Sequence, residues 1–142
     1  MAFDLLEGLW SLEGEEHPSA SIDKDKFKWT SMLRIPDFVT DEVFERFKEK
    51  LAAKKPELNL SVICREKFAE GFCGQITHVG SYDDEPETIA ALERFIEESG
   101  YRTEITGIRR RHEIYLGDPR KVSPEKLKTI IRHPIGKVGN KR

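Results

Sequence analysis

Two side chains of the segment RHEIYLG have types that could recognise or transform a small molecule. Side chains alternate along a strand, so Glu113 and Tyr115 project from one face, whereas His112, Ile114 and Leu116 project from the other. We expect the helices of the domain to cover the face of Ile114 and Leu116. Glu113 and Tyr115 would then lie together on the open face of the sheet.

Trp10 lies in a second alternating segment, LEGLWSLEG, and could add an aromatic wall to this site. A carboxylate buried without a protein cation costs several kcal/mol, so it takes up a proton or waits for a cation from outside. An aromatic wall adds a cation–π attraction of roughly 0.5–2 kcal/mol. The pattern therefore predicts binding of an amphipathic cation. The alternative is an ordinary surface acid paired with Arg111 or a lysine of a neighbouring strand.

The elements that must position these side chains follow from turn signals and periodicity. They are a strand over 27–35, a helix over 40–54, a hairpin of strands 61–67 and 71–79, a helix beginning near Pro86, and strands over 103–105 and 109–116. Residues 123–135 fit a helix or a strand equally well. The order predicts an α+β fold, in which an antiparallel sheet carries two helices on one face. Trp29 is predicted to belong to the core.

Composition restricts the function classes further. The length of 142 residues fits one domain, and no apolar run is long enough to span a bilayer. Residues 1–100 hold 12 Lys and Arg against 22 Asp and Glu, whereas residues 101–142 hold 12 against 4. The basic end lacks the helical spacing of a recognition helix and every common nucleic-acid motif, so we expect no nucleic-acid partner.

The thiols and imidazoles give no sign of a metal site. Cys64 and Cys73 form no CxxC motif, and the histidines are scattered, so we expect neither a metal nor a cofactor. The N-terminus carries acids and no basic region typical of a secretory signal, which favours the cytoplasm, where thiols stay reduced.

Two long runs resemble a known family. Residues 71–100, which contain HVGSYDDEP, and residues 109–135, which contain HEIYLGDPRKVSPEKLKT, are similar to the GyrI-like small-molecule-binding family. That family is related to the effector-binding domains of AraC- and MerR-type multidrug regulators. The segments LEGLW and MLRIPDFVT match it too, so the resemblance covers roughly residues 6–135.

The resemblance implies a fold and a set of site residues. The family fold duplicates a β-α-β-β module, and the two halves enclose a ligand cleft. The acidic ligand residue of the family corresponds to Glu113, with Tyr115 two residues on, and the cleft tryptophan corresponds to Trp10. Tyr82 and Met32 match positions expected at the rim or floor of the cleft. The implied ligand is an amphipathic, cationic small molecule.

The sequence departs from the family pattern at its N-terminus. Most of the first module is missing, so we expect residues 1–23 to be its last strand and a linker, residues 24–135 to form the binding domain, and residues 136–142 to be a flexible tail. Half a cleft cannot enclose a ligand, so either two chains pair and each supplies half, or the sequence is a shortened form. We favour a homodimer, because the open face of the sheet needs covering.

The resemblance also implies an enzymatic alternative, because some GyrI-like proteins hydrolyse cyclopropane-containing genotoxins. Glu113 would then act as the general base, and Tyr115 would donate a hydrogen bond to the opened substrate.

Overall fold

A computed structural model of the protein describes residues 5–12 and 27–139. These residues form two compact units. The first unit contains residues 5–12, 27–33 and 70–139, and the second contains residues 34–69.

The first unit is built on an antiparallel sheet of six strands among the described residues. The strands are β1 (Glu7–Leu12), β2 (Phe27–Met32), β3 (Cys73–Val79), β4 (Tyr101–Thr103), β5 (Arg111–Tyr115) and β6 (Lys128–Lys137). Their order is β2-β1-β5-β6-β3, and β4 pairs with the far end of β6. Strand β5 is therefore central, between β1 and β6, whereas β2 lies at an edge.

Helix α2 (Glu85–Glu98) packs on β3 and β4 and forms the core of this unit. Its buried stripe of Ile89, Leu92 and Ile96 meets Ile131 and Ile135 of β6. Pro86 lies in the first turn of α2, and Gly100 follows its end with φ of 85°, a conformation that glycine adopts without steric cost. These features confirm the predicted helix, and the α+β class with an antiparallel sheet and two helices is confirmed with it.

The second unit contains helix α1 (Asp41–Lys54), which begins where the sequence predicts. The Thr40 hydroxyl accepts a hydrogen bond from the Val43 amide, and the acids Asp41 and Glu42 occupy the first turn. Neither α1 nor α2 has the length and apolar character needed to cross a bilayer.

Several sequence predictions differ from the structure. The predicted hairpin is wrong, because Leu60–Val62 form a 3-10 turn and β3 pairs with β6 instead. Residues 123–135, which fitted a helix or a strand, consist of a 3-10 turn at Pro124–Lys126 and then β6. Strand β6 also enters the predicted tail, and residues 13–26 of the predicted linker lie outside the described residues.

Strand β5 is held to its neighbours by a buried histidine. His112 Nε2 lies 2.6 Å from a carboxylate oxygen of Glu7 on β1, and its Nδ1 lies 2.8 Å from Glu70, which precedes β3. Glu70 also pairs with Arg132 of β6 at 2.8 Å. Burial disfavours a charged imidazole, but the two carboxylates outweigh it and raise the pKa of His112.

We predict that this histidine makes stability depend on pH. A raised pKa means that the charged pair stabilises the fold fully at low pH, and that this contribution is lost as the pH rises through the folded-state pKa of His112. The free energy of unfolding, measured by urea denaturation, should therefore decrease from pH 6 to pH 9. His112→Gln should lower it by about 3 kcal/mol at pH 6 and remove this slope.

His78→Gln is the matched control for that experiment. His78 is also buried, but its ring nitrogens contact the Thr88 hydroxyl and the Ser81 carbonyl, which are neutral. The control variant should keep the pH slope. A His112→Gln protein with an unchanged slope would contradict the assignment.

Candidate functional site

Glu113 lies on the face of the sheet that α2 covers, because of the strand register. It is directly opposite Gly8 on β1 and Ile131 on β6, and opposed residues of an antiparallel pair project from the same face. Ile131 belongs to the core beneath α2. The expectation that Ile114 and Leu116 face the helical side, with Glu113 on the open face, is therefore wrong for α2.

The carboxylate of Glu113 is buried, with 3% of the residue exposed, and it is paired within its own strand. Arg111 Nε and Nη2 both donate to Glu113 Oε2, at 2.9 Å and 2.5 Å. Arg111 is itself buried, so two charges removed from water compensate each other. The premise that Glu113 waits for a cation from outside is therefore wrong.

A chain of hydrogen bonds extends from the other oxygen of this carboxylate. The Tyr115 hydroxyl donates to Glu113 Oε1 at 3.2 Å, and Trp10 Nε1 donates to the Tyr115 hydroxyl oxygen at 2.9 Å. Burial and the adjacent charge of Glu113 raise the pKa of Tyr115 far above its ordinary value. Tyr115 is therefore a neutral phenol across the physiological range.

Two tryptophan rings lie beside this chain. The rings of Trp10 on β1 and Trp29 on β2 have centroids 5.8 Å apart and planes tilted by 35°. The Trp29 indole lies directly on Gly8, since a Cβ built there would be 1.9 Å from Trp29 Nε1. Gly8 thus leaves room for a flat ring immediately beside Glu113.

Tyr82 closes the group on the side of α2. It lies in the 3-10 turn Tyr82–Asp84 that leads into the helix, and its ring meets Tyr115 edge-on at 6.1 Å. Partial burial, followed by the charges of Glu85 and Glu113, raises the pKa of Tyr82. Both phenols of the group are therefore neutral hydrogen-bonding groups.

Sequence comparison identifies the family. The profile of the GyrI-like small molecule binding domain matches residues 47–135. This chain belongs to that family. No curated protein sequence matches the chain significantly.

Solved structures from Listeria innocua resemble this GyrI-like chain along most of its length. An uncharacterized conserved protein is 44% identical with a TM-score of 0.85, and the match covers 95% of this chain and 65% of that chain. A hydrolase is 41% identical with a TM-score of 0.82, covering 95% and 64%. A further hydrolase structure is 40% identical with a TM-score of 0.79 and the same coverage. The GyrI-like chain thus spans about 65% of the length of these proteins.

The GyrI-like structure brings together four of the five residues that the sequence singled out. Trp10, Tyr82, Glu113 and Tyr115 form one connected group. Met32 does not join it, because it pairs with Glu7 on β1 and both project from the opposite face of the sheet. The family resemblance of the segment around Met32 therefore agrees with a strand there, but it does not predict the face of the sheet from which Met32 projects.

Sequence reasoning missed three members of the group: Gly8, Trp29 and Arg111. The sequence suggests Arg111 only as the partner of a surface acid, whereas both side chains of the pair are buried. Trp29 was predicted to be core, yet it is 45% exposed and lies on Gly8. Aligning the two alternating segments about Trp10 and Trp29, which are direct cross-strand partners, could have found the pair.

No group of side chains suited to holding a metal occurs among the described residues. The group has instead the parts of an acid–base site: a buried carboxylate fixed on one oxygen by a guanidinium, a neutral phenol on the other oxygen, and aromatic surface around them. Such a carboxylate can accept a proton from a water molecule or bond a ligand donor.

The Arg111–Glu113 pair should be strongly coupled in stability. Arg111→Met leaves a buried carboxylate without its cation, which costs about 3–5 kcal/mol. Arg111→Met combined with Glu113→Leu should recover most of this loss, because an apolar pair of similar volume replaces a buried ion pair at little cost. Urea denaturation of the two single variants and the double variant measures the coupling. Additive losses would contradict a compensated buried pair.

Proposed function

We propose that this GyrI-like domain binds an amphipathic aromatic small molecule at the Glu113 group and hydrolyses it, with Glu113 as the general base. The observation that carries the proposal is the connected chain from Trp10 through Tyr115 to Glu113, whose carboxylate Arg111 holds. The similarity to two structures of hydrolases from Listeria innocua, at 41% and 40% identity, supports it.

The aromatic side chains supply the binding surface. Trp10, Tyr82 and Tyr115 lie beside one charged pair, so a ligand ring finds stacking partners while a polar group reaches the carboxylate. Aromatic contacts contribute about 0.5–1.5 kcal/mol each beyond the area that they bury. A molecule with a flat apolar body therefore suits the site.

The proposed reaction is hydrolytic opening of a cyclopropane conjugated to a carbonyl, the substrate class that the family resemblance suggests. Glu113 accepts one proton from a water molecule as the water oxygen forms a bond to a ring carbon. The breaking carbon–carbon bond delivers its electron pair to the carbonyl oxygen. The proton then passes from Glu113 to that oxygen, so that the net change is the addition of one water molecule.

The geometry supports a modified role for Tyr115. Its single hydroxyl proton is directed at Glu113 Oε1 rather than outward, so we propose that Tyr115 positions the carboxylate. Arg111 restrains the other oxygen, and a carboxylate fixed at both ends keeps its remaining lone pairs in constant directions.

Sequestration of an amphipathic cation is the second candidate function. It is favoured by Glu113 Oε1, whose hydrogen bond from Tyr115 is long at 3.2 Å, so that this oxygen could accept a stronger donor. It is weakened by Arg111, which already compensates the negative charge. A matched pair of ligands decides: a dye with a protonated tertiary amine should bind no more tightly than its neutral carbon isostere if hydrolysis is the function.

We predict that Glu113→Gln abolishes turnover but not binding. The amide oxygen can still accept the hydrogen bonds of Arg111, so the domain should fold, with lower stability because the buried guanidinium loses its counter-charge; an amide cannot act as a base. Turnover of a cyclopropane-bearing electrophile, followed by chromatography of the ring-opened alcohol, should fall by about 10²–10⁴-fold. The dissociation constant of the substrate should change little.

Two further variants control this measurement. Glu98→Gln alters an exposed acid near the end of α2 and should leave turnover unchanged. Glu113→Asp keeps the negative charge but moves it back by one methylene group, so this variant should retain part of the activity. A folded Glu113→Gln protein with full turnover would rule out Glu113 as the base.

The homodimer is also part of the proposal. Trp29, on the edge strand β2, is half exposed, and a second copy over it would cover its outer side. Sedimentation at micromolar concentration should then give twice the chain mass of 16.4 kDa. The free thiols Cys64 and Cys73 are consistent with the proposed cytoplasmic location.

A further inference from the structure

Trp29 occupies an unusual position for a large apolar side chain. It lies on the edge strand β2, it is 45% exposed, and yet its ring is in intimate contact with the backbone of the neighbouring strand at Gly8. A half-exposed ring on an edge strand buries less apolar area than a core ring, so moving it away costs less free energy.

The absence of a side chain at Gly8 leaves the space that the Trp29 ring occupies. A side chain of any size at position 8 would overlap the indole, since a Cβ there would be 1.9 Å from Nε1 and 2.8 Å from Cδ1. Gly8 is also the direct cross-strand partner of Glu113. The flat space over Gly8 therefore adjoins the carboxylate, and in this structure the indole of Trp29 fills it.

The Tyr115 hydroxyl is the hydrogen-bonding group beside the space that the Trp29 indole fills. A phenol has one proton and two acceptor lone pairs. The proton goes to Glu113, and Trp10 Nε1 donates to the oxygen at 2.9 Å. The second acceptor position is taken by the indole N–H of Trp29, whose hydrogen bond to this oxygen partly offsets the rise in the pKa of Tyr115.

We propose that the Trp29 indole occupies the ring-binding position of the site and is displaced by the ligand. The ligand would then resemble what it displaces: a planar fused-ring heteroaromatic with a ring N–H, stacked over Gly8 and donating to the Tyr115 hydroxyl. This inference rests on the proposed function only in placing the ligand beside Glu113. It specifies the class of ligand, and it implies that Trp29 competes with the ligand for the position over Gly8 rather than forming part of the binding surface.

Indole and benzofuran form a matched pair of probes, because they share shape but only indole has a ring N–H. The chain has two tryptophans, so its ¹⁵N spectrum contains two side-chain Nε1–H signals, and a Trp29→Val variant assigns them. Unlabelled indole should move the Trp29 signal towards the position of a solvent-exposed indole. Indole should also bind more tightly than benzofuran, a preference that Tyr115→Phe should remove.

Removal of Trp29 distinguishes a side chain that competes with the ligand for its position from one that contributes to the binding surface. Trp29→Val, which keeps the β-propensity of the edge strand, should raise the affinity for indole by about tenfold, because the binding-competent state is no longer a minor one. Adding Gly8→Ala to this variant should reverse the gain, since a methyl group fills the place of the ring. Phe95→Ala, which removes an exposed aromatic ring elsewhere, is the control and should change nothing.

The possible results are distinguishable. Weaker or unchanged indole binding in Trp29→Val, or equal binding of indole and benzofuran to the wild type, would overturn the inference while leaving hydrolysis by Glu113 intact. If Trp29→Val does not fold, Trp29→Phe assigns the two signals instead, and an unmoved Trp29 signal in the wild type at saturating indole overturns the proposal. Full turnover by Glu113→Gln would refute the proposed function regardless of where indole binds.

Discussion

The negative charge of a carboxylate buried in the middle of a sheet needs a positive charge beside it, and Arg111 supplies that charge to Glu113 from the same strand. The two residues are two positions apart, so they project from the same face, and the guanidinium reaches one carboxylate oxygen with two N–H groups. His112 between them projects from the opposite face and is compensated in turn by Glu7 and Glu70. Three consecutive buried residues of β5 are thus ionisable, which an isolated strand could not tolerate.

The compensation changes what the site is suited to do. An unpaired buried carboxylate attracts cations, whereas a carboxylate with a fixed guanidinium has little net charge to offer and a well-defined orientation. Orientation matters more for proton transfer than for attraction, because a base must lie within hydrogen-bond reach of the proton that it removes. The same pair therefore favours acid–base chemistry over sequestration of cations.

The sequence predicted local structure better than the pairing of distant segments. Helix α1 has its own cap at Thr40, and α2 has Pro86 and Gly100 at its ends, so each carries its boundaries in its residues. The failed hairpin had strand-like composition at 61–67, but β3 gained a longer partner in β6, and composition carries no information about such competition.

The candidate site, too, depends on the packing of distant elements, which local sequence patterns do not predict. Alternation correctly grouped Glu113 and Tyr115, yet the side of the sheet that they share depends on where α2 packs, and one residue of register decides it. The family motif placed Trp10 near Glu113, which the hydrogen bond through Tyr115 explains.

Burial of Glu113 bears on the argument for a second subunit. The sequence predicts a homodimer because half a cleft cannot enclose a ligand and the open face of the sheet needs covering, but Glu113 is only 3% exposed within the single chain. What remains open is the outer side of Trp29, not the carboxylate. A second copy would therefore act on the residue that lies over Gly8: by covering Trp29 it would hold the ring in place, and a ligand would have to displace it against that contact. Dimerisation and ligand binding would then oppose each other through one side chain, so a ligand that moves Trp29 should weaken the dimer by the same factor by which the dimer weakens the ligand.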